Sequence, residues 1–142
     1  MDSRLKVKRT DSLDILVTQM QSVQLGLNMT QIERIHKLSP EVNISDRIIY
    51  LHKVLTFHQE TITYKSPHVF MLKTPDSPCG IIIDEPQKMV SIPIEKIYPL
   101  PQLIQNTCVN SSIWGAVMEG STFILLLDII RLVNLQHKFN PK

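Results

Sequence analysis

Short apolar runs, many rich in β-branched residues and bounded by Pro, Asn, Ser or Asp, recur along this chain. That pattern predicts strands rather than long helices. Leu13–Thr18 and Gln21–Leu27 read as two opening strands. In "MTQIERIHKLS", Ile32, Ile35 and Leu38 fall at three-residue spacing, which leaves a helical turn and a twisted strand both open. Arg47–Tyr50 reads as a strand and Leu51–Phe57 as a short helix. Strands follow at Thr61–Tyr64, His68–Lys73, Gly80–Asp84 and Lys88–Ile92. Seven of the nine prolines fall between Pro67 and Pro101, and Pro99-Leu100-Pro101 stiffens a connection in extended form.

The most apolar stretch, "SSIWGAVMEGSTFILLLDIIRLV" (111–133), contains Asp128 and Arg131. A spanning helix needs roughly 20 uncharged apolar residues, and an intramembrane Asp–Arg pair costs several kcal/mol, so membrane insertion is not expected. Two strands, Ile113–Met118 and Thr122–Leu127, joined by a turn at Glu119-Gly120, fit better. Asp128 then caps a helix, its carboxylate accepting from the free N–H groups of the first turn. Ile129, Leu132 and Val133 follow on one helical side, with Arg131 on the other.

An internal echo bears on domain organisation. "IIYLHKVL" (48–55) lines up with "LLDIIRLV" (126–133), each a strand end passing into a helix with one basic residue among aliphatics. Such a duplicated unit suggests two similar β subdomains rather than one sheet, although a chance match stays open.

Composition narrows the chemistry. With 142 residues, 43% hydrophobic and 20% charged, the chain is sized for one globular domain. A net charge of +2 and 6% aromatic residues disfavour a nucleic-acid surface. The basic "SRLKVKR" segment reads as part of a solvated, flexible terminus over residues 1–10. No apolar targeting segment opens the sequence as given, so a cytoplasmic location is expected. Cys79 and Cys108 read as two reduced thiols. Only four glycines occur, which leaves no phosphate-cradling loop. His36, His52, His58, His68 and His137 show no metal-ligand spacing and read as surface residues. Ser111, Ser112 and Ser121 lack a nucleophile-elbow context. Asp84, Glu85, Glu95 and Asp128 each have a local structural role, so a paired-carboxylate site is not expected. The chain is expected to be no enzyme, to hold no cofactor and to bind no metal.

"CGIIIDEPQKMVSIPIEKIYPLP" (79–101) followed by "IWGAVMEGSTFILLLDIIRLV" (113–133) resembles the second half of CheW-like domains. There a Gly–aliphatic–Asp strand, a Pro-containing crossing and a glycine hairpin run into an Asp-led helix. "LDILVTQMQSVQLGLNMTQIERIHKL" and "IIYLHKVL" are similar, more loosely, to the family's first half. The Gly-aliphatic-aliphatic-Asn-Leu-Arg-Gly stretch that the family carries before its strand-to-helix unit is missing here, and the family's strand-end Asp is Tyr50. Tyr50→Asp is therefore expected to be neutral or slightly stabilising. The resemblance implies a single domain over residues 1–142, mainly β, built as two small SH3-like β-barrel subdomains with short helices, five strands in each barrel of the family. Here the first barrel is reduced by about a hairpin's worth of chain.

By the same resemblance the function is that of a non-catalytic adaptor coupling chemoreceptor cytoplasmic regions to the regulatory domain of the histidine kinase CheA in bacterial chemotaxis. The alternative is a regulatory or assembly protein of that fold that has lost receptor coupling. The family's receptor contact carries over to Ile35, His36 and Lys37, for which the competing reading is a core isoleucine beside two solvated residues. Trp114 fits an exposed contact anchor, although a lone Trp in a strand is more often packed. The Glu119-Gly120 hairpin is a candidate for a barrel-to-barrel kinase contact.

Overall fold

Ten strands carry the fold in a computed structural model whose described residues are 11–20, 23–39, 47–54, 63–74, 79–99 and 112–139, with side chains in the last helix described through Asn134. They are β1 (Ser12–Met20), β2 (Val23–Asn28), β3 (Ile32–Lys37), β4 (Ile48–Tyr50), β5 (Pro67–Leu72), β6 (Gly80–Asp84), β7 (Lys88–Pro93), β8 (Tyr98–Pro99), β9 (Ile113–Glu119) and β10 (Thr122–Leu127). Two helices, α1 (Leu51–Val54) and α2 (Ile129–Phe139), follow β4 and β10 directly. The strands form two sheets, ordered β7-β1-β2-β10-β9-β8 and β3-β5-β6-β4.

Side-chain alternation, with period two along each strand, explains the layering. Ile15, Val17, Ile92, Val117, Ile124 and Leu126 point to one side of the larger sheet and form a buried cluster of their own. The curl that gathers residues from both ends of this sheet is closed by an ion pair, Lys88 Nζ to Glu119 Oε1 at 2.6 Å. Gly26 faces this interior. A Cβ there would lie 2.6 Å from Ile15 Cγ2 and 2.9 Å from Leu126 Cδ2, so only a missing side chain lets the strands approach. The opposite side contributes Met20, Leu25, Leu27 and Leu127 to the main core, where Phe70, Leu72, Ile81 and Ile83 of the smaller sheet meet Leu51, Ile129 and Leu132 of the helices. Val69, Met71 and Ile82 form a third cluster on the far side of the smaller sheet.

The repeated strand-to-helix units occupy equivalent places. β10 pairs in parallel with β2, Leu126 opposite Gly26, and β4 pairs in parallel with β6, Ile49 opposite Ile81. The strands divide six and four among the described residues. The segment after β2 resolves its ambiguity by doing both things: Met29–Gln31 is a 3-10 turn and Ile32–Lys37 a strand. One expected strand is corrected. Thr63 and Tyr64 lie in no strand, because this stretch spends its polar groups on side-chain partners: Tyr64 Oη meets His52, and Ser66 N–H donates to Asp84 Oδ1 at 2.8 Å. Thr61 and Ile62 fall outside the described residues, as do residues 1–10, Leu55–Phe57, His58, Leu100-Pro101, Cys108 and Ser111.

The Asp128 cap is present and is shared. Its Oδ1 accepts from Arg131 N–H at 3.0 Å and from Gln31 Nε2 at 2.9 Å, while Ile129 N–H donates to Gln31 Oε1 at 3.1 Å. Gln31, almost a hundred residues away in sequence, thus completes the cap and ties the turn before β3 to the start of α2. Asp128→Ala removes the carboxylate from a helix N–H and from a side-chain amide together. The expected loss is about 1–2 kcal/mol, read as a lower urea midpoint at unchanged slope. An unchanged midpoint would place the cap elsewhere.

Candidate protein-contact surfaces

The residues expected to matter lie on different sheets. Ile35, His36 and Lys37 belong to β3, an edge of the smaller sheet, opposite Phe70, Val69 and His68 of β5. Ile35 is half-buried against the main core and Lys37 is exposed. His36 is half-buried rather than solvated, because strand alternation turns it toward the other side of a sheet that is covered on both. Trp114, Glu119 and Gly120 belong to the β9–β10 hairpin of the larger sheet. Gly120 has φ +66°, the left-handed value that a tight hairpin turn requires. Glu119 is held by Lys88 and acts first as a closure of the curled sheet.

Trp114 is 38% exposed and so is not the packed residue that a lone strand Trp usually is. It has company that the sequence reading missed. Trp114, Ala116 and Met118 alternate along β9. Phe123 of β10 stands opposite Met118, and Tyr98 of β8 stands opposite Ala116. Residues directly opposite in a sheet share a face, so Tyr98, Met118 and Phe123 line one side, and Trp114, the extra residue where the β9–β10 register shifts, is exposed at its end. Their exposures are 61%, 38%, 44% and 60%. The neighbouring Leu125, on the same face, already packs against the main core. The exposed strip is therefore the uncovered continuation of the face that joins the two sheets. The signal was available in the sequence as the alternation 114, 116, 118 across a two-residue turn from Phe123.

The carboxylates are occupied structurally. Asp84 Oδ1 holds Ser66 N–H, Glu85 Oε1 accepts from Ser66 Oγ at 3.3 Å, and Asp128 caps α2. Glu95 is exposed in the 3-10 turn Ile94–Lys96. Cys79 is a buried free thiol, Ser112 is buried, and Ser121 is exposed in the hairpin turn. No group of three His, Cys, Asp or Glu among the described residues could hold a metal ion. No helix among them is long and apolar enough to cross a membrane.

Two further histidines, beside His36, are corrected from the expected surface setting. His68 is half-buried, with Nδ1 2.9 Å from the Ser66 carbonyl. His52 is half-buried within a group of three rings. Its centroid is 5.6 Å from Tyr50 and 5.6 Å from Tyr64, and the two tyrosines are 5.7 Å apart. Burial, and after it the Lys53 charge, holds the His52 imidazole below its ordinary pKa. Burial pushes the Tyr64 phenol up, assisted by Asp84 and Tyr50 and opposed by its hydrogen bond from His52.

This group alters the expectation for Tyr50. The cap that Tyr50 cannot supply to α1 comes from Tyr64, whose hydroxyl accepts from His52 N–H at 3.1 Å. Tyr50 itself packs against the third cluster and touches both rings. An aspartate there would lose two ring contacts, each worth about 0.5–1.5 kcal/mol, for a cap of about 1 kcal/mol whose best N–H is already engaged. Tyr50→Asp is expected to destabilise by about 1 kcal/mol. A melt equal to or above that of the unaltered protein would contradict this.

Two curled sheets on one shared core, each with a strand entering in parallel and leaving as a helix, define a two-subdomain β protein. The sequence profile of the CheW-like domain matches residues 14–137, and the chain belongs to that family. It is a family of non-catalytic scaffold and adaptor proteins, and this chain is not an enzyme. The chemotaxis protein CheW of Treponema pallidum (strain Nichols) is 32% identical over 90 residues, which are 60% of this chain and 51% of that protein. The chain thus spans about half the length of the curated relative it matches. The crystal structure of the scaffolding protein TtCheW from Thermoanaerobacter tengcongensis has the same fold, with a TM-score of 0.62, 15% identity, and 82% of this chain and 88% of that one covered.

Proposed function

We propose that this chain is a cytoplasmic adaptor that couples the cytoplasmic regions of chemoreceptors to the regulatory domain of the histidine kinase CheA. The observation that carries the reading is the exposed apolar strip Tyr98, Trp114, Met118 and Phe123. Exposed apolar patches of this kind mark contact surfaces, and aromatic residues and Met are enriched at the cores of interfaces. The kinase binds this strip and the adjoining Glu119-Gly120 turn, barrel against barrel. The receptor binds the β3 edge at Ile35, His36 and Lys37, which sits on the other sheet, so both partners can be held at once.

A pull-down with the kinase regulatory domain and a receptor cytoplasmic fragment, each alone and then together, tests the pair of contacts. Retention of both in one complex supports coupling. The second reading is a regulatory or assembly protein that has lost receptor coupling. It is favoured by the missing glycine–arginine stretch ahead of β4 and by Tyr50 in place of the family's strand-end Asp. Capture of the kinase alone would select that reading, and capture of neither would exclude the adaptor.

A further inference from the structure

Tyr64 reaches α1 through two contacts with a single residue. Its hydroxyl oxygen accepts from His52 N–H at 3.1 Å and lies 2.8 Å from His52 Nδ1. A phenol has one proton to give and lone pairs to receive with. With the backbone N–H on the oxygen, the phenolic proton is matched when it points at a bare Nδ1, which places the imidazole proton on Nε2. Each polar group then has a complementary partner.

Protonation of the ring breaks this match. Nδ1 becomes a donor, so the hydroxyl faces two N–H groups and its own proton is turned away. The added charge also enters a half-buried setting that already contains Lys53. Among the described residues, the titratable and charged groups around the ring are Lys53 on α1, Tyr50 on β4, Tyr64 itself and Asp84 at the end of β6. Lys53 opposes the charge, and Asp84 acts on Tyr64, helping to keep the phenol protonated wherever histidine titrates.

The contact has mechanical reach because it holds one end of the stretch 63–66, beside the Tyr50–Tyr64 ring contact, while the far end is held to β6 and the residue after it. There Ser66 N–H donates to Asp84 Oδ1 and Glu85 N–H donates to the Ser66 carbonyl at 2.9 Å. We infer that the Tyr64 hydroxyl is a proton-sensitive latch, closed on the β4–α1 corner while His52 is neutral and released when the imidazole takes up a proton. With Tyr50 at the strand end no local carboxylate takes the His52 N–H, which goes to Tyr64 instead: a carboxylate cap is indifferent to mild acid, and this one is not. The lowered pKa of His52 has the matching sign. The unfolded chain takes the proton first, so the stability this contact adds is present above about pH 6.5 and is lost as the pH falls through the lower folded value.

Nitrogen-detected imidazole NMR and amide exchange, corrected for intrinsic rates, between pH 8 and pH 5 test the latch on the intact chain. The expected results are an Nε2–H tautomer for His52 at pH 8 and a loss of about tenfold in His52 amide protection through its own titration. Tyr64→Phe should show low protection at both ends. An Nδ1–H tautomer at pH 8, or protection that does not follow the His52 titration, would overturn the latch. So would the same step in Tyr64→Phe. Should that variant not fold, the tautomer and the step in the unaltered protein decide the matter.

Discussion

Phe70→Ala is expected to lower the free energy of unfolding by about 3–5 kcal/mol. Phe70 is the largest fully buried side chain among the described residues. It sits in mid-β5, opposite Ile35 on one side and Ile81 on the other, and projects into the core that joins the two sheets and both helices. Truncation empties a site walled by rigid strands, so the cavity term adds to the lost transfer energy. Domains of this size are stable by about 5–15 kcal/mol, which puts the variant close to its threshold. Val69→Ala, on the far side of the same strand in the small third cluster, should cost distinctly less. Equal urea midpoints for the two would show that the shared core is not what holds the sheets together.

Trp114→Ala and Phe123→Ala are expected to do the opposite: leave stability nearly unchanged and remove binding. At 38% and 60% exposed, neither side chain contributes much to the folded core, and surface changes of this kind usually move stability by less than about 0.5 kcal/mol. At an interface the same residues become anchors. Truncating a central aromatic anchor costs about 2 kcal/mol or more, which is roughly 30-fold in affinity. Lys73, exposed just past β5 of the smaller sheet, supplies the control: Lys73→Ala should alter neither property.

Much of this architecture was legible because local chemistry and tertiary structure agree. Gly120 with alternating apolar flanks gave the β9–β10 hairpin, and Asp128 ahead of Ile129, Leu132 and Val133 gave the capped helix. The paired strand-to-helix segments pointed to two subdomains, which the matching parallel pairings at β2–β10 and β4–β6 bear out. What stayed hidden depends on residues distant in sequence. Gln31 completing the Asp128 cap and Tyr64 capping α1 are side-chain contacts that no local pattern encodes. Tyr64 was read as a strand residue because β-propensity rewards an aromatic, whereas its hydroxyl has drawn it to His52. The two-residue strand β8 is too short to leave a periodic signal. The apolar strip was half visible: Trp114 was singled out, but its exposure depends on how far the smaller sheet extends over the larger one.

The central claim is that the Tyr98–Trp114–Met118–Phe123 face is the kinase-binding surface of an adaptor. Calorimetric titration of the CheA regulatory domain into the unaltered chain, the Trp114→Ala/Phe123→Ala double variant and Lys73→Ala tests it most directly, with the melt of each protein measured alongside. The account predicts saturable binding to the unaltered chain and to Lys73→Ala, and at least about 30-fold weaker binding to a double variant that melts normally. Equal affinity across all three proteins, or no binding by the unaltered chain, would contradict it.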